Sequence, residues 1–533
     1  MVDTLLSKYL SSSAEKFPDK EAVTNGKSSL TYRKLLGRSN YLARCLTDKG
    51  LNIGNYVVIS MTRRINIIES IFGVLKAGGV YIPMAPDIPG LRRKLIFNNC
   101  RPSAIICDNP VLKKLLSENE EIIKECSIFC YENQDRIDNA IRNKISIIDT
   151  KSFVDQENNF LMRSRITPDM PAGVYYTSGT TGEPKGVILT HRNIHEYISW
   201  VIDYIGIKPN DRLLWTAHYY FDMSLFDIYA PLRAGATICM ADEKQLLFPK
   251  LLVDFAEAQQ VTVWKGVSSL LMYMARTGAI APGRLRTLRK VIFSGEVLPT
   301  KYLRQWMQTF PDKIFINAYG PTEATGISMY YKVDSMPATS EEKIPLGKPC
   351  ENTEIFLLDD KLSPVLDGEI GEIFIKGICV APGYLHNPDQ TRKFFIDNPL
   401  NPGKGETVYR TGDLARRRPD GNYEFLGRKD DQVKYMGYRI ELQEIEQALI
   451  SLPYVNDAAV ILTEMNKLPE LQAFIDVAKH GITTHQVSQD LNQLLPGYMI
   501  PRQIHFVDRI PRTASGKIDR QALQVFTQSK TKS

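Results

Sequence analysis

The chain has 533 residues, too many for one hydrophobic core, so two to four compact units are expected, each with its own interior. Apolar residues at 43% and charged residues at 24% are ordinary globular values. The 66 basic and 60 acidic residues leave a net charge of +6, spread without a long block, which gives a mildly basic solvated surface and does not imply nucleic acid.

No apolar run follows a basic patch at the start, and nowhere do 18 apolar residues follow one another, so neither secretion nor membrane spanning is supported and the chain reads as cytosolic. Eight cysteines are sparse for this length, and a reducing compartment keeps them as thiols. In chain order, "NYVVIS" (55–60) reads as a strand and "NIIESIFGVLKAG" (66–78) as a helix. "AGVYYT" (172–177) is a strand, and "RKVIFSGE" (289–296) followed by "KYLRQWMQTF" (301–310) repeats the strand–helix order. This alternation predicts an α/β fold with largely parallel strands. Cys126 and Cys130 sit four apart, as do His191 and His195. The two pairs are far apart in sequence, so buried thiols and helix-surface histidines are favoured over a zinc site. The charged stretch 427–439, between "NYEFL" and the helical "ELQEIEQALISL", is the best linker; it divides the chain into a core, 1–428, and a small α+β domain, 429–533. The final "TQSKTKS" reads as a frayed tail.

"YYTSGTTGEPKGV" (175–187) has the residues of a phosphate-binding loop in an unfamiliar order. A Walker loop needs Gly, four residues, then Gly-Lys-Ser/Thr, and here Pro184 stands where a glycine belongs, so the P-loop NTPase reading fails. What remains is a strand entering a Ser/Thr/Gly turn whose hydroxyls and amides can wrap a polyphosphate, with Lys185 as a point charge. A polar surface turn is the bland alternative.

Taken with "NAYGPTEAT" (317–325), "YRTGDL" (409–414), "GRKDDQVKYMGYRIELQEIE" (427–446) and "TASGKIDR" (513–520), the loop resembles the adenylate-forming superfamily. Within it the resemblance is to stand-alone amino-acid adenylation domains of nonribosomal peptide synthesis. It runs from "LTYRKL" (30–35) and "LKAGGVYIPMAP" (75–86) to "LLPGYMIP" (494–501), and "FDMSLFDIYAPLRAGA" (221–236) is similar to D-alanine:carrier-protein ligases. The resemblance implies activation of a carboxylate by ATP and Mg2+ to an acyl-adenylate, then transfer to a phosphopantetheine thiol. It implies a large N-terminal domain of layered, mostly parallel sheets and a small mobile C-terminal domain hinged at Asp430.

Carried over residue by residue, the resemblance makes Lys517 the catalytic cation. It gives the phosphates to Thr177, Ser178, Gly179, Thr180, Thr181 and Lys185. Asn317 and Tyr319 meet the adenine, with Ala318, Gly320 and Thr322 beside them. Asp413, assisted by Arg428, takes the ribose hydroxyls, as an ionised carboxylate can. Glu323 ligates magnesium. Two departures, Pro382 where arginine is usual and Tyr435-Met436 where a basic residue is common, suggest altered carrier docking or loop dynamics. No condensation-type His-His motif occurs, and nothing after Arg520 holds a carrier domain, so a separate phosphopantetheinylated carrier protein is the expected partner.

Asp222 matches the carboxylate that anchors the substrate ammonium in α-amino-acid-activating relatives; a helix cap is its structural alternative. The matching pocket positions are Asp222, Met223, Phe226, Lys265, Ile292, Ser294, Ala318, Gly326 and Ile327, with Lys517. A buried Lys265 between Trp264-side packing and apolar walls needs a partner, and a short acidic or amide side chain of the aspartate or asparagine kind would supply it. A Lys265 that reaches water or pairs with a nearby carboxylate would instead leave a small pocket for alanine or proline. A D-alanine ligase and a non-enzymatic partner-binding relative are the remaining alternatives; the retained lysine and carboxylates count against the last.

Overall fold

A computed structural model describes residues 4–118, 125–131, 145–148, 165–179, 183–465, 468–478, 481–513 and 518–530. The chain forms two compact units. The first comprises residues 1–86, 100–175 and 186–429, and the second comprises 87–99, 176–185 and 430–533.

The first unit is α/β. Its nine-stranded sheet has six parallel strands in the middle, in spatial order Ile314–Tyr319, Lys290–Ser294, Val263–Val267, Arg212–Trp215, Thr237–Met240 and Glu21–Thr24, with antiparallel strands at either edge. A seven-stranded sheet is built around Tyr56–Ser60, Val80–Pro83 and Ala104–Cys107, again parallel. The middles of these strands are mostly apolar because both faces of the sheets are covered, as parallel sheets require. Helices Ser7–Lys16, Tyr32–Asp48, Asn66–Ala77 and Ser224–Ala234 feed one continuous apolar cluster with them. Asn66–Ala77 stops at Gly78, whose φ of 84° suits the left-handed cap that only glycine adopts without strain. A five-stranded antiparallel sheet, including Thr407–Arg417 and Tyr423–Arg428, completes the unit.

In the second unit, helix Leu442–Ile450 and helix Thr484–Asn492 pack with the strands Val455–Met465, Leu468–Val477 and Gln503–Phe506 around their own core. Most of the stretch read as a linker is ordered pairing: Gln432–Tyr435 and Tyr438–Glu441 form an antiparallel hairpin. Its two-residue turn places Met436 at φ 53° and Gly437 at φ 81°, the double left-handed geometry that matches the twist of the strands. Tyr435 is buried in the core of this unit while Met436 is exposed. The tail also differs from expectation, since helix Arg520–Lys530 takes in its first four residues.

The histidines are not on a helix surface. His191 and His195, one turn apart on helix His191–Trp200, are both buried. His191 Nδ1 accepts from the Leu6 amide at 3.4 Å, and His195 Nδ1 lies 2.9 Å from the Tyr9 hydroxyl. Their spacing serves to dock the N-terminal helix. Among the described residues no three His, Cys, Asp or Glu gather as a metal cage, and no helix is long and apolar enough to cross a membrane.

Burial pushes the His191 imidazole down to about 4 from 6.5. As pH falls below 6.5 the unfolded chain takes up this proton before the folded one does, so stability drops between those two values, by about 2 kcal/mol at pH 5. In His191→Gln, which keeps an acceptor for Leu6, the loss of unfolding free energy between pH 7 and pH 5 is expected to shrink by that amount in urea titrations. An unchanged pH dependence would remove His191 from this role.

Candidate active site

Four of the residues expected to line the substrate pocket share one sheet face for a reason visible in the register. Lys265 pairs with Ile292, and Ser294 pairs with Ala318. Side chains alternate along a strand and paired residues share a face, so these four lie together. Trp264 therefore points to the other side, where it meets Trp306 edge-on at 6.0 Å, and the expected packing of Lys265 against it is not found. Helix Ser224–Ala234 and the residues just before it border the Lys265 face. Phe226, Ile292, Ala318 and Ile327 belong to the same buried apolar cluster, and Gly326 turns at φ 89° beside the Tyr197 ring.

Lys265 is 3% exposed. Its ammonium donates to the Met223 carbonyl at 3.1 Å and stands 5.6 Å from the centre of the Phe226 ring. Burial lowers its pKa, and the charges of Asp227 and Asp222 oppose that shift. Burial likewise raises Asp222, against the pull of Lys265 and a hydrogen bond with Thr322. No side chain caps the helix that begins at Ser224, so the structural alternative for Asp222 does not apply. Asp227 is a participant the sequence reading missed. It is fully buried, and desolvation pushes it up to about 7. A signal was available: it is a carboxylate five residues beyond Asp222 inside the apolar run "SLFDIYA".

One residue along from Ala318, Tyr319 donates its hydroxyl to Asp413. The Arg428 guanidinium binds the other Asp413 oxygen, and the two residues are paired across neighbouring strands. Asn317, expected to read adenine, donates Nδ2 to the Pro345 carbonyl at 2.7 Å, which fixes the plane of its amide. Gly320 is forced by space: a Cβ there would stand 2.5 Å from the Gly326 carbonyl oxygen. Glu323 is fully buried and accepts from the Tyr384 hydroxyl at 2.8 Å. Tyr384, in "PGYL", is a second residue the sequence reading did not single out.

The described part of the glycine-rich loop belongs to the second unit. Ser178 donates its hydroxyl to the Arg439 carbonyl at 2.8 Å, and Thr177 reaches the Lys185 carbonyl at 3.5 Å. The Gly179 amide faces the Glu444 carboxylate, which also pairs with Arg92 in a buried ion pair. A Cβ on Gly179 would lie 2.1 Å from the Glu183 carbonyl oxygen, so no other residue fits. Lys185 is buried, with Glu441 and Glu444 in its field. Asp430 accepts from the Gln432 amide at 3.3 Å. Thr180, Thr181 and Lys517 lie outside the described residues.

Comparison with known proteins gives this arrangement a context. A family profile described as AMP-binding enzyme matches residues 10–385, and one described as AMP-binding enzyme C-terminal domain matches residues 444–517. Surfactin synthase subunit 3 of Bacillus subtilis (strain 168) is 33% identical over 512 residues, covering 95% of this chain and 37% of its own length. Zwittermicin A synthase ZmaJ of Bacillus cereus is 32% identical over 537 residues, covering 99% of this chain and 96% of its own length. The chain thus spans little more than a third of the first relative and nearly all of the second. In fold it is similar to the Vibrio cholerae adenylation domain AlmE solved with glycyl-adenosine-5'-phosphate, at a TM-score of 0.85 and 23% identity over 99% of this chain and 98% of that one.

Since the atoms crowding Gly320 are backbone, they cannot step aside. Gly320→Ala is expected to cost about 1–3 kcal/mol, read as a lower urea midpoint, and to weaken ATP binding at least about tenfold by calorimetric titration. A variant that matches the parent in both would show that the turn tolerates a side chain.

Proposed function

The chain belongs to the AMP-binding enzymes as an adenylation domain of the nonribosomal-peptide-synthesis type, and from that premise we propose that it activates a short-chain amino acid with ATP and passes it to a carrier protein. The observation that carries the reading is the double use of one strand, Ile314–Tyr319: Ala318 lines the pocket that holds Lys265, and Tyr319 holds Asp413. A nucleotide on Asp413 and an amino acid beside Asp222 would therefore be brought close by neighbouring residues of a single rigid element.

Asp222 anchors the substrate ammonium, and the amino acid's own carboxylate attacks the α-phosphate of ATP, forming the aminoacyl-adenylate and releasing pyrophosphate. Asp413 accepts from the ribose hydroxyls, Arg428 orients that carboxylate, and Tyr319 lies under the base. Lys517 places a positive charge at the attacking oxygen and the developing phosphate charge. Glu323 would hold Mg2+: it is a buried carboxylate, and a hard cation bound mostly by water and phosphate needs only one or two such ligands. Mg2+ would neutralise phosphate charge. A hinge at Asp430, between core 1–428 and mobile domain 429–533, presents Lys517 for the first half-reaction and the Gly437 hairpin for transfer to the phosphopantetheine thiol of a separate carrier.

The amino acid is read from Lys265. Among the described residues its ammonium has one hydrogen-bond acceptor, the Met223 carbonyl, which leaves donors for a substrate oxygen, and Phe226 with Met223 limits the side chain to a short one. Asparagine or aspartate fits these demands. The nearby carboxylates favour the second reading, a charge-balanced small pocket for alanine or proline.

Two measurements test these assignments. Lys517→Ala is expected to lower pyrophosphate exchange more than a hundredfold while ATP still binds, since a preorganised charge at a developing oxyanion is worth about 3 kcal/mol or more; exchange at the parental rate would refute the role. Across an amino-acid panel, Lys265→Met should lose activity on the polar substrate and gain it on apolar ones. A preference for alanine or proline shared by parent and variant would overturn the polar pocket.

A further inference from the structure

Tyr197 carries a buried polar group that none of the described residues uses. Its side chain is 4% exposed, and its hydroxyl has no hydrogen-bond partner among the described residues. Burial also raises its pKa well above the ordinary 10, so the group is a neutral hydroxyl, able both to donate and to accept a hydrogen bond. Such an orphan is rare, because a buried polar atom left unpaired costs stability. Its place is fixed. Helix His191–Trp200, which carries it, is tied to helix Ser224–Ala234 beside the Lys265 face by Arg233, whose guanidinium donates to the His195 carbonyl at 3.3 Å and to the Ser199 hydroxyl at 2.6 Å. Next to it stands Gly326. A Cβ added there would have as its three nearest neighbours Cε1, Cζ and the hydroxyl oxygen of Tyr197, at 3.4, 3.5 and 3.7 Å. The missing side chain of Gly326 thus leaves the tip of Tyr197 uncovered in the direction from which a larger residue would cover it.

We propose that Tyr197 is a further specificity-determining residue: its hydroxyl, uncovered by Gly326, hydrogen-bonds the polar end of the substrate side chain. The inference rests on the amino-acid-activating reading above, with Gly326 in the pocket wall and Lys265 given to a substrate oxygen. Lys265 only donates, whereas a phenol both donates and accepts. A short side chain ending in a carboxamide or a carboxylate has two heteroatoms, one for each group. Alanine and proline have none, and with either bound the hydroxyl stays buried and unpaired. A site built to hydrogen-bond its ligand rejects analogues that lack the partner far more strongly than it rejects a missing methylene.

The test is Tyr197→Phe, which removes one oxygen and keeps the ring against Gly326. Pyrophosphate exchange by the full chain is measured across an amino-acid panel that includes asparagine, aspartate, alanine and proline. The ratio of kcat/KM for the best polar amino acid to that for alanine is expected to fall at least about tenfold, through the KM of the amino acid and with the KM of ATP unchanged. The urea midpoint should stay at or above the parental value, since the lost hydroxyl had no partner among the described residues. A ratio unmoved in Tyr197→Phe, or all amino acids weakened alike, overturns the proposal. So does a variant that folds poorly, because the hydroxyl would then serve the protein and not the ligand. A parent that prefers apolar amino acids overturns the polar-pocket reading and this inference with it, whereas a parent inactive across the panel overturns the amino-acid-activating reading itself.

Discussion

An ammonium almost without solvent on the face of a parallel sheet constrains everything around it. Lys265 sits on a strand flanked on both sides by parallel partners, so its backbone cannot shift and its four-carbon stem must run across the apolar cluster. Desolvating such a charge costs several kcal/mol unless compensation is close. The fold supplies it from a helix terminus: Met223 offers a carbonyl, and Asp222 and Asp227, on either side of the first helical turn, offer field. The helix that closes the pocket is thus also the element that makes a charged pocket tolerable.

The residues proposed to meet the nucleotide are built on the opposite principle. Asp413 gives one oxygen to Arg428 and the other to the Tyr319 hydroxyl, and its own amide donates to the Thr411 hydroxyl at 3.0 Å. A carboxylate oriented by two protein groups is prepaid in entropy, and each oxygen retains a lone pair for the ribose hydroxyls proposed to bind there. Gly320 then lets the chain turn back against Gly326 and Ser328, so the stretch carrying Tyr319 and the one carrying Gly326 and Ile327 are held at backbone contact. Pocket and nucleotide positions share that rigidity.

What the sequence made legible follows from how local each signal is. Alternating strand-like and helical runs gave the parallel strands, and ordered motifs gave the family, because both are written in contiguous residues. Register is not contiguous. That Trp264 turns away while Lys265, Ile292, Ser294 and Ala318 share a face depends on pairing between strands far apart in sequence. For the same reason His191 and His195 looked like surface residues: their partners, Leu6 and Tyr9, lie about 185 positions earlier. Tyr384 was missed because its partner Glu323 is 61 positions away. Asp227 was passed over because an acid in an apolar helix acquires meaning only once its distant partner, the Ala217 amide, is known.

The glycine-rich loop adds a last step. Its polar groups are not idle: the Gly179 amide faces the Glu444 carboxylate and the Ser178 hydroxyl serves the Arg439 carbonyl, while Arg92 neutralises Glu444 from behind. If the loop holds a phosphate as proposed, its donors need another partner when none is bound, since a buried donor left unmade costs about 1–3 kcal/mol. An anionic side chain at the loop amide answers that demand with the chemistry of the ligand itself. In the proposed reading, binding a polyphosphate there exchanges one anion for another, and an exchange of like for like can be nearly balanced in free energy. Near balance is what a site must have if it is to bind ATP, release pyrophosphate and return to its starting arrangement in every turnover.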